Sequence, residues 1–200
     1  MEVTRTLGGP IHDHRGCASL EARQETVERS IVEIESLFQS TAADLATLRE
    51  SKSQQVDIRV APAARAVATD AAKLQDALRN LIENAVTYAP EGSVITLAAV
   101  KDADRVLLTV ADEGPGVPEA DLARIFERFY RVDKARSRES GGTGLGLSIV
   151  KHLVELLGGR VWAANRPGGG AVFSISLPMG PSPAAPASVE PAAGASTPAP

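Results

Sequence analysis

One cysteine, Cys17, is all the chain holds, so an intrachain disulfide is impossible. Long apolar runs are missing too. The longest, such as Val106 to Val110, fall far short of the roughly 20 residues that cross a bilayer, and no transmembrane segment is expected. The opening stretch MEVTRTLGGPIHDHRG has no apolar core of the secretory type, which makes the cytoplasm the expected location. Neither sign of charge dominates: 21 basic against 25 acidic side chains leave a net charge of -4, which argues against a nucleic-acid partner. What is present is ordinary for a soluble globular protein, with 44% hydrophobic and 23% charged residues among 200. That length suits one domain with flanking segments.

Composition and periodicity divide the chain into three expected parts. Residues 1–26 read as a linker or remnant, 27–178 as one folded domain, and 179–200 as a disordered tail. The 23 residues from Pro178 to Pro200 hold seven prolines, seven alanines and one charged side chain. Such a segment buries too little apolar surface to offset its ordering entropy. Between Leu20 and Leu48, apolar residues at Val27, Ile31, Ile34, Leu37, Phe38, Leu45 and Leu48 predict a helix. A strand is expected over Gln54 to Val60, then a turn-like stretch from Pro62. Asp70 to Tyr88 reads as a helix with Asp70 as N-cap. Its wheel puts Leu74, Leu78, Leu81, Ile82 and Ala85 on one face and Asn80, Glu83, Asn84 and Thr87 on the other. Ser93 to Val100 and Arg105 to Ala111 predict a hairpin around Lys101 to Asp104. A short helix near Glu119 to Phe126, a helix from Leu145 to Leu157, and strands at Arg160 to Ala164 and Ala171 to Leu177 complete the pattern. A mixed sheet covered by helices fits it best.

Four segments hold chemistry. In ADEGPGVP, a strand delivers Asp112 to a turn containing Gly114 and Gly116, where a carboxylate can accept from an exocyclic amine and so select adenine. Taken alone, a plain Asp-Gly turn is the simpler reading. Gly141, Gly142, Thr143, Gly144, Leu145, Gly146 and Leu147 form a glycine-rich run leading into a helix, which is suited either to phosphate binding or to a hinge. Asn84 offers a neutral oxygen of the kind magnesium takes, with Asn80 one turn earlier and Glu83 beside it to hold a water or assist the chemistry. Arg124 to Arg138 holds six basic residues against Glu127 and Asp133, and helical spacing makes Arg128 and Arg131 the expected phosphate-facing cations.

Taken together, NLIENAVTYAP (Asn80 to Pro90), DEGPGV (Asp112 to Val117), FERFYR (Phe126 to Arg131) and GTGLGL (Gly142 to Leu147) resemble, in order and spacing, the N, G1, F and G2 boxes of sensor histidine kinases. The resemblance covers about Val32 to Pro178. It implies a two-layer α/β sandwich of a mixed β-sheet and helices, the Bergerat ATP-binding fold, with a mobile ATP lid. It further implies ATP and Mg2+ as cofactors, Asn84 as the metal ligand, Asp112 as the adenine contact and Tyr88 near the base. Gly114, Gly116, Gly142, Gly144 and Gly146 would shape the pocket and lid. Many members of the family place a lysine or arginine where this chain has Thr87, a departure that removes one phosphate-facing cation. The implied activity is transfer of the γ-phosphate to a histidine on a dimerisation domain, and through it to a response regulator.

His12-Asp13-His14-Arg15 resembles the start of an acceptor motif, but Gly16 and Cys17 replace its usual threonine and proline. Only 72 positions separate His12 from Asn84, too few for two long antiparallel helices as well as the first strand. The acceptor is therefore expected on another chain, and the isolated chain is expected to be a monomer. A nucleotide-binding module without transfer, and an anti-sigma-type serine kinase or ATPase of the same superfamily, are the competing functions.

Overall fold

The structure, a computed structural model, describes residues 26–132 and 143–180. His12, Cys17, Gly142 and the proline-rich tail lie outside the described residues. Strand β1 (Ser30–Glu33) leads into helices α1 (Ile34–Asp44) and α2 (Ala46–Glu50). Strand β2 (Gln55–Val60), a 3-10 turn at Pro62–Ala64 and strand β3 (Ala66–Thr69) follow, then helix α3 (Ala71–Tyr88). Strands β4 (Val94–Asp102) and β5 (Arg105–Ala111) form a hairpin; helix α4 (Gly146–Leu156) and strands β6 (Arg160–Asn165) and β7 (Ala171–Pro178) close the domain.

The main sheet has the order β2-β4-β5-β7-β6, with β2 parallel to β4 and every other pairing antiparallel. The expected mixed sheet is thus present. Strict alternation decides which face is covered. Ile95, Leu97 and Ala99 on β4, Val106, Leu108 and Val110 on β5, and Phe173, Ile175 and Leu177 on β7 all point into the core. Against them lie Leu74, Leu78, Leu81, Ile82 and Ala85 of α3, each at most 1% exposed. The four leucine and isoleucine side chains among them stabilise the domain by roughly 1.5 to 3 kcal/mol each. α4 packs beside α3 and α1 on its other flank, which completes the helical layer.

Both ends of α3 are tied down. At its start the Asp70 carboxylate accepts from the Lys73 N–H (3.1 Å), the Glu28 N–H (3.1 Å) and Lys73 Nζ (3.1 Å). At its end, Lys52 Nζ donates to the carbonyls of Val86, Thr87 and Ala89 at 2.8 to 3.0 Å, and Gln54 Nε2 to those of Val86, Ala89 and Pro90 at 3.1 to 3.2 Å. The last carbonyls of a helix lack intrahelical partners, and a lysine there also opposes the negative end of the dipole.

Two helices differ from the sequence expectation. The periodic stretch from Leu20 to Leu48 does not make one helix: Ser30–Glu33 pairs antiparallel with Ala66–Thr69, leaving Ile31 69% exposed, and among the described residues helix begins at Ile34. There Glu33 caps it by accepting from the Ser36 N–H at 2.7 Å. Of the expected helix at Glu119 to Phe126, only a 3-10 turn at Glu119–Asp121 exists. Its continuation is a series of tight turns closed mainly by bonds three residues apart, such as Arg124 N–H to Asp121 O and Glu127 N–H to Arg124 O. The hairpin loop is also tighter than expected, since Asp102 pairs with Arg105 and leaves Ala103 at φ +53°.

Burial alone would raise the Asp70 carboxyl, but the hydrogen bonds from Lys73 and Glu28 and the charge of Lys73 outweigh it and hold the group below its ordinary value. Its contribution is therefore complete above the unfolded value near pH 4 and is lost as pH falls through the lower folded value. Urea unfolding should show Asp70→Ala destabilised by about 1 to 2 kcal/mol at pH 7, with the gap between wild type and Asp70→Asn shrinking below about pH 4. Ala103→Gly should gain about 1 kcal/mol, because glycine carries no penalty at positive φ.

Candidate nucleotide-binding site

Asp112 is the first residue past the β5–β7 ladder, and it is 4% exposed. Its backbone N–H donates to Ala171 O at 2.9 Å, which holds it in line with the strand. A buried carboxylate needs donors. Oδ1 finds two, the Gly114 N–H at 2.8 Å and the Ala171 N–H at 3.2 Å. Oδ2 has no hydrogen bond among the described residues, and its lone pairs can serve an incoming amine. A Cβ on Gly114 would lie 2.9 Å from Asp112 Oδ1 and 3.0 Å from Tyr88 O. Only glycine there lets the end of α3 back onto the Asp112 turn. Two motifs that are 24 residues apart in the sequence, at Tyr88 and Asp112, are therefore neighbours.

On the polar edge of α3, Asn80 and Asn84 are half-buried while Glu83, Thr87 and Tyr88 are exposed. The two asparagines differ. Asn80 Nδ2 donates to Asp76 O at 2.8 Å, and its Oδ1 would be 3.0 Å from a Cβ on Gly146, so Asn80 seats the start of α4. The Asn84 carboxamide makes no hydrogen bond among the described residues. Thr87 turns its hydroxyl back to Glu83 O at 2.8 Å.

Helix α4 starts at Gly146 from Leu145, which supplies no side-chain cap. The Thr143 hydroxyl reaches only the Leu145 N–H, at 3.4 Å. The first N–H groups of the helix, Gly146 and Leu147 among them, thus have no intrahelical acceptor and present the positive dipole end. Gly144, at φ +71°, accepts from the Phe129 N–H at 2.9 Å, and a Cβ on it would meet Phe129 Cα at 3.0 Å. Phe129 is itself at φ +63° and 70% exposed. This contact joins the aromatic segment to the glycine run.

Around Phe129, Tyr130 donates its hydroxyl to Asp121 Oδ1 at 2.5 Å, and that hydrogen bond raises the phenol above its ordinary value. Arg124 stacks over the Tyr130 ring at 4.3 Å and bonds Glu127, which raises its guanidinium further. Arg124 is thereby occupied. Arg128 and Arg131 border an open depression of about 470 Å³ with Glu127, Phe129 and Tyr130. Neither lies in a helix, so the helical spacing expected to align them is not present: Arg128 is in a turn and Arg131 in irregular chain. No hydrogen bond or ion pair among the described residues joins Arg128 to Glu83, Asn84 or Asp112. Sequence reasoning missed three residues that touch the site: Asn165, the last residue of β6, and Arg166 and Gly170 in the turn that follows it. Only the run of glycines from Gly168 to Gly170 marked that turn at all.

Residues 69–181 match the family model of the histidine kinase-, DNA gyrase B- and HSP90-like ATPases. The chain therefore belongs to that family of ATPases. Its relatives point to the particular branch, the ATP-binding catalytic domain of histidine kinases. The sensor-like histidine kinase SenX3 of Mycolicibacterium smegmatis is 42% identical over 123 residues, which are 62% of this chain and 32% of SenX3. The sensor histidine kinase WalK of Bacillus subtilis is 45% identical over 114 residues, 56% of this chain and 19% of WalK. The chain spans about a third or less of the length of these two relatives. Among solved structures, full-length ShkA in complex with AMPPNP superposes with a TM-score of 0.67 at 32% identity, covering 77% of this chain and 32% of that one. The catalytic domain of the histidine kinase ThkA matches at 0.67 with 24% identity, covering 76% of this chain and 96% of its own, and shares the fold.

Gly144→Ala places a side chain both at a positive φ and against the Phe129 backbone. A local cost of about 1 to 2 kcal/mol is expected. Hydrogen exchange should speed up at the amides of Phe129 and of the first turn of α4, while amides of β5 and β7 keep their rates.

Proposed function

We propose that residues 27–178 form a catalytic domain that binds ATP with magnesium and passes the γ-phosphate to a histidine outside the domain. The observation that carries this reading is Asp112, a buried carboxylate with one oxygen held by two backbone N–H groups and the other left open. An acceptor so fixed prefers a base bearing an amine to one bearing a carbonyl. The family match, and the AMPPNP complex of ShkA, support ATP as the nucleotide. Tyr88 would lie along the base, and the uncapped start of α4, from Thr143 to Leu147, would receive phosphate oxygens.

Magnesium needs few protein ligands when phosphates and waters supply the rest. The uncommitted carboxamide of half-buried Asn84 fits that need, and Asn80, bonded to Asp76 O, is the less suitable of the two. Bound there, the ion would neutralise charge on the phosphate oxygens. In the transfer, a histidine ring nitrogen forms a bond to the γ-phosphorus as the bond to the β-phosphate oxygen breaks, and ADP leaves. Arg128 and Arg131 would offset the charge on the phosphates, and Glu83 would hold a water or take the imidazole proton. The partners would be a histidine-containing dimerisation domain and, through it, a response regulator. Among the described residues no helix is long and apolar enough to cross a membrane. We place the domain in the cytoplasm and expect it to be monomeric on its own.

A second reading, nucleotide binding without transfer, draws support from Thr87. Its hydroxyl is turned into the helix, and no cation stands at that position. Calorimetric titration with and without magnesium, followed by label transfer from γ-labelled ATP to an added acceptor hairpin domain, separates the two. Binding with transfer is the expected result; binding without transfer selects the second reading, and no binding overturns both. Asp112→Asn should weaken ATP at least tenfold, consistent with losing a hydrogen bond to a charged group worth about 1.5 to 3 kcal/mol. In Asn84→Ala, ATP affinity should lose most of its dependence on magnesium.

A further inference from the structure

The Asp112–Val117 loop is held from outside, by a segment that no motif of the sequence reading includes. At its far end the Asn165 carboxamide makes two bonds to one residue, accepting from the Val117 N–H at 2.8 Å and donating to Val117 O at 2.7 Å. The side chain thus imitates the paired N–H and C=O of a neighbouring strand. At the near end, Arg166 Nη1 donates to Asp112 O at 2.9 Å. Between these contacts, Gly116 at φ +77° has no room for a side chain, because a Cβ would sit 2.7 Å from Asn165 Oδ1. Gly170 is tighter still: a Cβ there would lie 2.0 Å from Asp112 O. The turn grips the loop at both ends.

We infer that Asn165 and Arg166 are positioning residues for base recognition, acting through the Asp112–Val117 loop. This rests on the reading of Asp112 as the adenine contact. Asp112 selects a base only if Oδ2 keeps its place, and a loop built on Gly114-Pro115-Gly116 has little side-chain packing of its own. Its position must come from bonds at its ends. Asn165 is exposed and Arg166 half-buried, so neither is a core residue whose loss would empty the interior. A turn that merely stabilised the β6–β7 hairpin would have no reason to spend a carboxamide on both backbone groups of Val117 and a guanidinium on Asp112 O.

The test is competition of ATP and of GTP against a fluorescent ATP analogue, with wild type, Asn165→Ala, Arg166→Gln and Arg166→Lys. GTP carries a carbonyl where ATP carries its amine, so the ratio of the two affinities reports the placement of Asp112. Each of the first two variants should bind ATP about tenfold more weakly while GTP changes little, the effect expected when one or two hydrogen bonds of about 1 kcal/mol are lost. The ATP-over-GTP preference falls by the same factor. Arg166→Lys, which keeps a cationic donor, should recover most of it. Melting temperatures should stay within about 4 °C of wild type, as a loss near 1 kcal/mol implies for a domain of this size. An unchanged preference, whether ATP affinity is kept or both nucleotides weaken equally, overturns the inference and leaves the nucleotide reading intact. Absence of ATP binding by the wild type overturns both.

Discussion

The burial of α3 against the sheet is the constraint on which the rest of the molecule depends. Leu74, Leu78, Leu81, Ile82 and Ala85 can be removed from water only if the helix lies across β4 and β5. Once it does, helical geometry leaves no choice about Asn80, Asn84 and Tyr88. They occupy the edge of the layer beside Asp112 and the start of α4. The end ties from Asp70, Lys52 and Gln54 fix the helix along its own axis, so the polar edge is set in register as well as in rotation.

Around that helix, the site is an accumulation of close backbone approaches. Tyr88 O meets Gly114, Asn80 meets Gly146, and Phe129 meets Gly144. Each contact joins two segments that carry different sequence motifs, and each would be blocked by a single methyl group. The glycines are thus less a source of flexibility here than a means of letting these segments pack closely against one another.

Much of this was legible in the sequence. The wheel of α3, its Asp70 cap and the alternating strands follow from short-range rules, and the order of four motifs named the fold. The failures have physical causes. β1 and β3 are four residues each and exist through pairing of Ser30–Glu33 with Ala66–Thr69, which no local pattern records. The periodic apolar positions from Val27 onward could serve either a helix or a strand followed by a helix, and tertiary pairing decided. The stretch after Glu119 has helical composition but closes as successive turns, held by Tyr130 on Asp121 and Arg124 on Glu127. Asn165 ends β6 and Arg166 opens the turn after it, where composition says only that the chain turns. Their bonds to Val117 and Asp112 are properties of the folded chain alone.

Those bonds also set an order of events. The loop that would read the base is translated 48 to 59 residues before the side chains and the backbone group that hold it. During synthesis, α3 and the β4–β5 hairpin can meet while the Asp112 carboxylate still lacks the Ala171 N–H, the Asn165 clamp and the flanking strand β7. Among the described residues, the Asp112–Val117 loop is completed by the strand farthest along the chain, β7. A nascent or clipped domain ending short of residue 171 would own every side chain expected to touch the nucleotide and still lack the Ala171 N–H on Asp112, so the order of that carboxylate doubles as a report that the sheet has closed.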